Sequence, residues 1–315
     1  VADLLFEPVG AVTLRSADGK TAYSEGRDFR RVGRRLHLLP GTRVPFKTAS
    51  QLLLPPGSPQ SIGAATDGKH HLFFSEGHVW HDLQAAASYR HRGGWSFPAP
   101  RSAARSLPNT RRLIRERRPL RFTALGDSIT AGGNASGRTG APPFLPAWPE
   151  LVTWGITDRT RTPVQIANLA VGGMSSPWGV EQVDACAKTS PDLMAIAFGM
   201  NDASGRRPVA EFADNVKRIL DGVRSKAPQC EFVLVAGMTG NPEWTASAPA
   251  LYPAYRDALA ALTGPGIALA DVTAAWDALC ARKKWRDFTG NGVNHPNDFG
   301  HRLYAQVFLA TVGVA

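Results

Sequence analysis

From residue 119 onward the sequence reads as an α/β domain on a parallel sheet, and residues 1–100 read as a β-sandwich of jelly-roll type. Three observations predict this. Short apolar runs alternate with helical stretches through the second part, the repeat that folds with helices on both faces of a parallel sheet. The first hundred residues carry brief β-prone runs separated by turn residues at the spacing of an antiparallel two-sheet unit. Between them the texture changes at Phe97-Pro98-Ala99-Pro100, which breaks the chain, and a linker with a short basic helix fills residues 101–118.

The elements follow in order. Val12-Thr13-Leu14 and Thr21-Ala22-Tyr23 flank a turn containing Asp18-Gly19, a strong hairpin signal. Val32-Gly33-Arg34 makes a second turn before the strand-like Arg35-Leu36-His37-Leu38-Leu39, which Pro40-Gly41 ends. Leu54-Pro55-Pro56-Gly57-Ser58-Pro59 is a loop, and His71-Leu72-Phe73-Phe74 and residues 85–90 continue the β pattern. The linker helix is expected at 109–117. Core strands are expected at 121–125, 164–169, 193–198, 232–236 and 267–270. Helices are expected near 148–158, 178–188, 208–226, 252–262, 272–283 and 298–312.

Bulk properties narrow the classes. At 315 residues, with 43% apolar and 20% charged side chains, two domains with sizeable cores are the default. No apolar run reaches the ~18–20 residues of a membrane-spanning helix. Val1 opens no basic-then-apolar leader, so a processed or trimmed N-terminus in a secreted or periplasmic setting is expected. The formal charge of +10 suits anionic surroundings such as acidic polysaccharide, cell wall or nucleic acid. The basic residues are scattered, however, and their one dense stretch (Arg105, Arg111, Arg112, Arg115, Arg117, Arg118) carries no nucleic-acid-binding motif, so neither nucleic acid nor membrane is expected as a partner. Cys186, Cys230 and Cys280 form no disulfide framework or metal-ligand spacing; they read as small hydrophobes, with one bridge and a free thiol as the alternative.

Four separated signals point to one chemistry. Gly126-Asp127-Ser128 follows the first core strand, so a tight turn presents a hydroxyl at the carboxyl edge of the sheet, where open α/β folds place their sites. Asn168 to Ser175, with the pair Gly172-Gly173, follows the second strand. Phe198-Gly199-Met200-Asn201-Asp202 follows the third, and His295-Pro296-Asn297-Asp298 precedes the last helix. A serine nucleophile near neutral pH needs a base such as imidazole, and a tetrahedral intermediate needs fixed N–H donors at its oxyanion, each worth ~3–4 kcal/mol. Glycine permits close backbone approach, and asparagine offers N–H groups without charge. The Gly-x-Ser-x-Gly elbow of α/β-hydrolases is absent, since Thr130 occupies its last position.

The order and contexts of these four blocks resemble the SGNH (GDSL-type) hydrolase superfamily over residues 119–315. The resemblance implies a flavodoxin-like three-layer α/β/α domain, with Ser128 as nucleophile and His295 as base. It also implies an oxyanion hole of the Ser128 and Gly173 amides and the Asn201 side chain, with Gly172 as the alternative glycine. No cofactor or metal is implied. One departure stands out: the family's aspartate, three residues before the histidine, is here Gly292, and its neighbour Asn291 is neutral. Asp287 on the same loop is the candidate orienter of the imidazole, and a Ser-His dyad oriented by a carbonyl is the competing reading. Two-domain carbohydrate acetylesterases of the superfamily share this feature and an N-terminal jelly roll.

The implied activity is hydrolysis of small acyl esters, chiefly acetyl, on a carbohydrate. A lipid or thioester hydrolase and a non-catalytic carbohydrate-binding protein are the alternatives. Trp148, Trp178 and Trp244 lie near predicted strand ends, where indoles stack on sugars or pack into the core. Asp202 reads as a helix cap and His301 as structural. His70, His71, His78 and His81 around Glu76 read as exposed imidazoles on a strand face, with no metal assigned. Nothing in the sequence ties Ser75-Glu76-Gly77-His78 to the cleft.

Overall fold

Five parallel strands form the centre of the protein, in a computed structural model that describes residues 1–94 and 102–314. They are β10 (Leu120–Gly126), β11 (Val164–Asn168), β12 (Leu193–Ala197), β13 (Glu231–Ala236) and β14 (Ile267–Asp271). The expected strands are all present, shifted by at most one residue at either end. Every residue of β12 and β13 is buried, as befits strands covered on both faces.

The spatial order is β11-β10-β12-β13-β14, all neighbours parallel. The chain therefore leaves β10 to one side for β11 and crosses back to the other side for β12. This reversal opens a crevice at the carboxyl end of β10, the ligand position of open α/β sheets. Ser128 stands two residues beyond β10.

Helices cover the sheet. Trp148–Thr160 packs on the last helix, Asp298–Thr311, closely enough that a Cβ on Gly155 would lie 2.5 Å from Leu309. The helix expected at 178–188 is two short ones, Ser176–Glu181 and Val183–Lys188, broken at Gln182. The basic linker helix is Pro108–Arg115, and its N-terminus is capped from afar. The buried Glu231 carboxylate accepts from Asn109 N–H (2.8 Å) and Thr110 N–H (2.7 Å), a negative charge at the positive end of a helix.

The N-terminal part differs from the expected jelly roll. Its strands are β1 (Ala2–Asp3), β2 (Pro8–Ser16), β3 (Ala22–Tyr23), β4 (Phe29–Val32), β5 (Arg35–Leu38), β6 (Leu53–Leu54), β7 (Ser61–Ala64), β8 (His71–Phe73) and β9 (Ala85–His91). They form three antiparallel three-stranded sheets, β1-β5-β4, β3-β2-β9 and β6-β8-β7. The first two share one core of Leu4, Val12, Leu14, Tyr23, Phe29, Leu36 and Val44. The third buries Leu72 and Ala65 against Val293 and Trp244 of the α/β part instead. Apart from Pro8–Ser16 and Ala85–His91 these strands are runs of two to four residues, interrupted by Pro40-Gly41 and Pro55-Pro56-Gly57, too short to build two broad facing sheets. The chain break read at residues 97–100 lies outside the described residues.

The third sheet is tied to the α/β part by backbone. Thr66 N–H donates to the Glu243 carbonyl (2.8 Å), Thr245 N–H to Ala64 (3.0 Å), and Ala65 bridges Trp244. Among the described residues no helix is long and apolar enough to cross a membrane.

Candidate active site

The strand-to-helix turn sets the serine. Gly126 has no room for a side chain: a Cβ would lie 2.5 Å from both the Ala197 carbonyl and Thr130 Oγ1. Asp127 then caps the one-turn helix Ser128–Ala131 by accepting from Ile129 N–H (3.0 Å). Ser128 is the first helical residue, so its own N–H has no intrahelical acceptor, and among the described residues no other backbone group takes it. Asn168 steadies the turn by donating to the Thr130 carbonyl (2.9 Å).

His295 comes to this serine from a loop built around Asn291. The fully buried Asn291 side-chain oxygen accepts from the N–H groups of Val293 (3.0 Å), Asn294 (3.1 Å) and His295 (3.1 Å). Thr289 Oγ1 and Gly290 N–H both donate to the His295 carbonyl. Asn297 caps the following helix by accepting from Phe299 and Gly300. The ring is thereby aimed, and its Nε2 lies 2.8 Å from Ser128 Oγ.

The other ring nitrogen decides the tautomer. His295 Nδ1 lies 2.6 Å from Asn134 Oδ1, and Asn134 Nδ2 faces the Gly77 carbonyl at 3.5 Å. With the amide oxygen toward the ring, Nδ1 carries the proton and Nε2 presents its lone pair to the serine. Burial pushes the imidazole pKa down to about 4, so the ring is neutral near pH 7. Asn134 stands in the left-handed region (φ +58°), which asparagine tolerates better than most residues, and a Cβ on the preceding Gly133 would lie 2.9 Å from the ring. The turn Gly132-Gly133-Asn134 is thus a cradle for the imidazole. Its signal in the sequence was the glycine pair followed by an asparagine, which sequence reasoning passed over.

The remaining donors flank the serine. A Cβ on Gly172 would lie 3.8 Å from Ser128 Cβ, whereas Gly173 (φ +79°) has nothing within 4 Å and supplies the left-handed turn. Among the described residues neither glycine N–H is taken by another protein group. Asn201 Nδ2 donates one hydrogen to the Met174 carbonyl (2.8 Å), which leaves the amide's second hydrogen for the crevice. Asp202 is buried and accepts from Ser176 N–H (3.1 Å), the first amide of the helix Ser176–Glu181, from Ser176 Oγ (2.6 Å) and from Arg207 Nε (2.7 Å), so it caps that neighbouring helix and braces this loop.

The structure corrects some of the other expectations and agrees with others. Asp287 does not reach the imidazole: its carboxylate pairs with Lys283 (3.2 Å), and Asn134 occupies the place it was expected to fill. The orienting carbonyl belongs to a side-chain amide from the far end of the serine turn. Trp148 is fully buried among Tyr304 and Phe308, because it opens a helix pressed on the last helix. Trp178 is half-buried with its ring edge-on to Phe198, and Trp244 is half-buried under the third N-terminal sheet. His70 and His78 are exposed beside Asp67 and Asp82, but His81 is buried, with Nε2 3.0 Å from the Asn134 carbonyl. His301 is structural, its Nε2 3.1 Å from the Gly133 carbonyl. All three cysteines are free thiols whose pKa values burial pushes up.

Comparisons with known proteins give the family and the fold. The model of the GDSL-like Lipase/Acylhydrolase family matches residues 124–303, a span that holds Ser128, Asn134, Gly172, Gly173, Asn201 and His295. No curated protein matches the sequence. Among solved structures, one from Parabacteroides merdae, described as a GDSL-like lipase, is 18% identical at a TM-score of 0.52, with 62% of this chain and 96% of that one covered. A mutant of Axe2, an acetyl-xylooligosaccharide esterase from Geobacillus stearothermophilus, is 15% identical at 0.52, with 62% and 94% covered. A two-domain esterase (CEX) active on acetylated mannans is 21% identical at 0.51, with 66% of this chain and 53% of that one covered. At these identities the likeness is one of fold.

Proposed function

This chain belongs to the GDSL-like lipase/acylhydrolase family, and from that premise we propose that it is a serine esterase removing small acyl groups, acetyl foremost, from a carbohydrate. The observation that carries the mechanism is the chain of contacts Ser128 Oγ, His295 Nε2, His295 Nδ1, Asn134 Oδ1, at 2.8 and 2.6 Å. As Ser128 Oγ attacks the ester carbonyl carbon, its proton passes to His295 Nε2. The carbonyl oxygen becomes an oxyanion held by the N–H groups of Ser128 and the Gly172-Gly173 turn and by the free Asn201 amide hydrogen. Collapse expels the sugar hydroxyl, which takes the proton from Nε2 and leaves Ser128 acylated. Water then attacks the acyl carbon, gives its proton to Nε2, and the carboxylic acid departs as Ser128 regains its hydrogen.

The carbohydrate and the short acyl group rest on two supports. The groups beside Ser128 include the backbone of Gly172 and Gly173 and the Asn201 amide, polar donors that suit a small ester on a polar alcohol. The fold is also shared with esterases of acetylated xylo-oligosaccharides and mannans. Action outside the cytoplasm, where such polymers are met, is part of the same proposal and fits the net charge of +10.

Rates on 4-nitrophenyl acetate, butyrate and octanoate test the reading, with acetate release from acetylated xylan and mannan as the second step. We expect acetate to be preferred and Ser128→Ala to lose at least ~10³-fold while keeping its fold. Preference for octanoate would make the chain a lipid or thioester hydrolase, and near-normal turnover by Ser128→Ala would end the mechanism.

A further inference from the structure

The loop that carries His295 has no place for an acid beside the ring. Gly292 has φ +97°, and a Cβ there would lie 2.5 Å from the Phe73 carbonyl and 2.7 Å from the Trp80 ring. Both neighbours belong to the N-terminal part, so that part occupies the volume a side chain at 292 would need. Asp287, on the same loop, is held by Lys283.

The carboxylate that does approach the imidazole comes across from the same N-terminal segment. Glu76 Oε1 lies 3.9 Å from His295 Nδ1. Among the described residues it has no other charged side chain within ion-pair reach. The residues on either side of Glu76 are fastened to the site. Ser75 N–H donates to the carbonyl of Asn291, the residue that shapes the histidine loop (3.3 Å). Gly77 accepts from Asn134 Nδ2 (3.5 Å), and His81 Nε2 meets the Asn134 carbonyl (3.0 Å). Residues 75–81 thus touch both supports of the imidazole, the Asn291 loop and the Asn134 turn.

We propose that Glu76 is the acid of this active site: a positioning residue, delivered by the N-terminal segment, whose charge stabilises the imidazolium that forms when Ser128 gives up its proton. The inference rests on the Ser128–His295 reading above. Asn134 holds the neutral ring in its tautomer but offers no charge once the ring is protonated. The Glu76 carboxylate, about half exposed, is screened by water at rest. Attraction between imidazolium and carboxylate at this distance strengthens as bound substrate displaces that water. The α/β part alone would therefore hold a serine and a base without the counter-charge, and the N-terminal part completes the catalytic machinery.

The test uses the full chain and 4-nitrophenyl acetate. Glu76→Gln keeps size and hydrogen-bonding capacity but removes the charge; we expect kcat to fall about tenfold, the equivalent of one pKa unit, with KM within about twofold. Salt raised to ~0.5 M slows the wild type and leaves Glu76→Gln nearly unchanged, because only the former has a half-exposed pair to screen. The double variant Glu76→Gln/Asn134→Asp places a carboxylate directly on Nδ1 and should bring kcat back to within about threefold of wild type. A Glu76→Gln rate within twofold of wild type at every salt concentration, with Ser128→Ala inert, overturns the role of Glu76 and leaves the serine mechanism standing. A loss that the double variant does not recover and that keeps the wild-type salt dependence makes Glu76 merely structural and also overturns the proposal. If Ser128→Ala itself turns over, the underlying reading fails and Glu76 falls with it.

Discussion

Gly133→Ala probes the ring cradle most directly. Gly133 is not one of the positive-φ glycines, so alanine meets no left-handed backbone strain there. It costs space, because the new Cβ would lie 2.9 Å from His295 Cε1 and Nδ1 and 2.9 Å from the Ser128 carbonyl. Ordinary contact begins at 3.4 Å, so the crowding is about half an ångström against two ring atoms and a backbone oxygen at once. The backbone oxygen cannot yield, since it accepts from Gly133 N–H at 2.7 Å. The ring must therefore slide, and it is clamped between contacts of 2.8 Å to Ser128 Oγ and 2.6 Å to Asn134 Oδ1. Misplacement of a catalytic group by about 1 Å costs on the order of 10²-fold. A shift of half to one ångström should thus lower kcat about 10- to 100-fold, with KM changed little. Steady-state rates on 4-nitrophenyl acetate, beside a thermal melt, measure it; the melt should drop only slightly, as the overpacking is local. A Gly133→Ala enzyme within threefold of wild-type kcat and with an unchanged melt would show that the ring is not confined, and the cradle argument would be wrong.

Three further outcomes follow from the same geometry. Asn134→Ala removes the acceptor for Nδ1–H and should cut kcat about 10²-fold, while Asn134→Asp keeps the acceptor and should stay within tenfold of wild type; equal losses in the two would refute the orienting role. The base must be neutral to accept a proton, and burial lowers the His295 pKa to about 4, so activity should persist below the pH 6.5 of an ordinary imidazole. An acid limb of kcat/KM at or above pH 6.5 would contradict this. Burial pushes the Asp127 carboxyl up to about 7, so between about pH 4 and 7 the folded state keeps a proton that the unfolded chain releases, and stability falls as pH rises through that window. Asp127→Asn still offers an oxygen to Ile129 N–H and removes the penalty; its melting temperature should gain on wild type from pH 4 to pH 8, by the equivalent of up to about 4 kcal/mol. A pH-independent difference would count against a buried protonated acid.

The α/β architecture was legible because its causes are local. Continuous apolar runs as short as Leu193–Ala197 fit strands buried on both faces, and their alternation with helices favours parallel pairing. The turn at Gly126-Asp127-Ser128 was equally readable, because the glycine and the capping aspartate answer to neighbours within four residues and to the adjoining strand. The N-terminal strands that were expected lie nearly in place, but Ala2–Asp3, Phe29–Val32, Leu53–Leu54 and Ser61–Ala64 were not read, nor was the division into three sheets. That division depends on which apolar face the strand His71–Phe73 buries, and the face is covered by Val293 and Trp244, some two hundred residues away. Trp148 was left open between sugar stacking and core packing for a related reason: helical spacing places it at a helix start, but only the seating of the last helix decides that its indole is enclosed.

Sequence alone pointed to the groups proposed to carry the chemistry and to the edge of the sheet on which they emerge: the hydroxyl at 128, the imidazole at 295, and the amides at 172, 173 and 201. What surrounds the imidazole was settled only in three dimensions. Asn134 stands 161 positions before His295, and Glu76 lies in the loop after the strand His71–Phe73. Hydrogen bonds and close packing act over a few ångströms of space and are indifferent to distance along the chain. A partner supplied by a remote segment therefore leaves no spacing to read, and only the docking of that segment assigns its role.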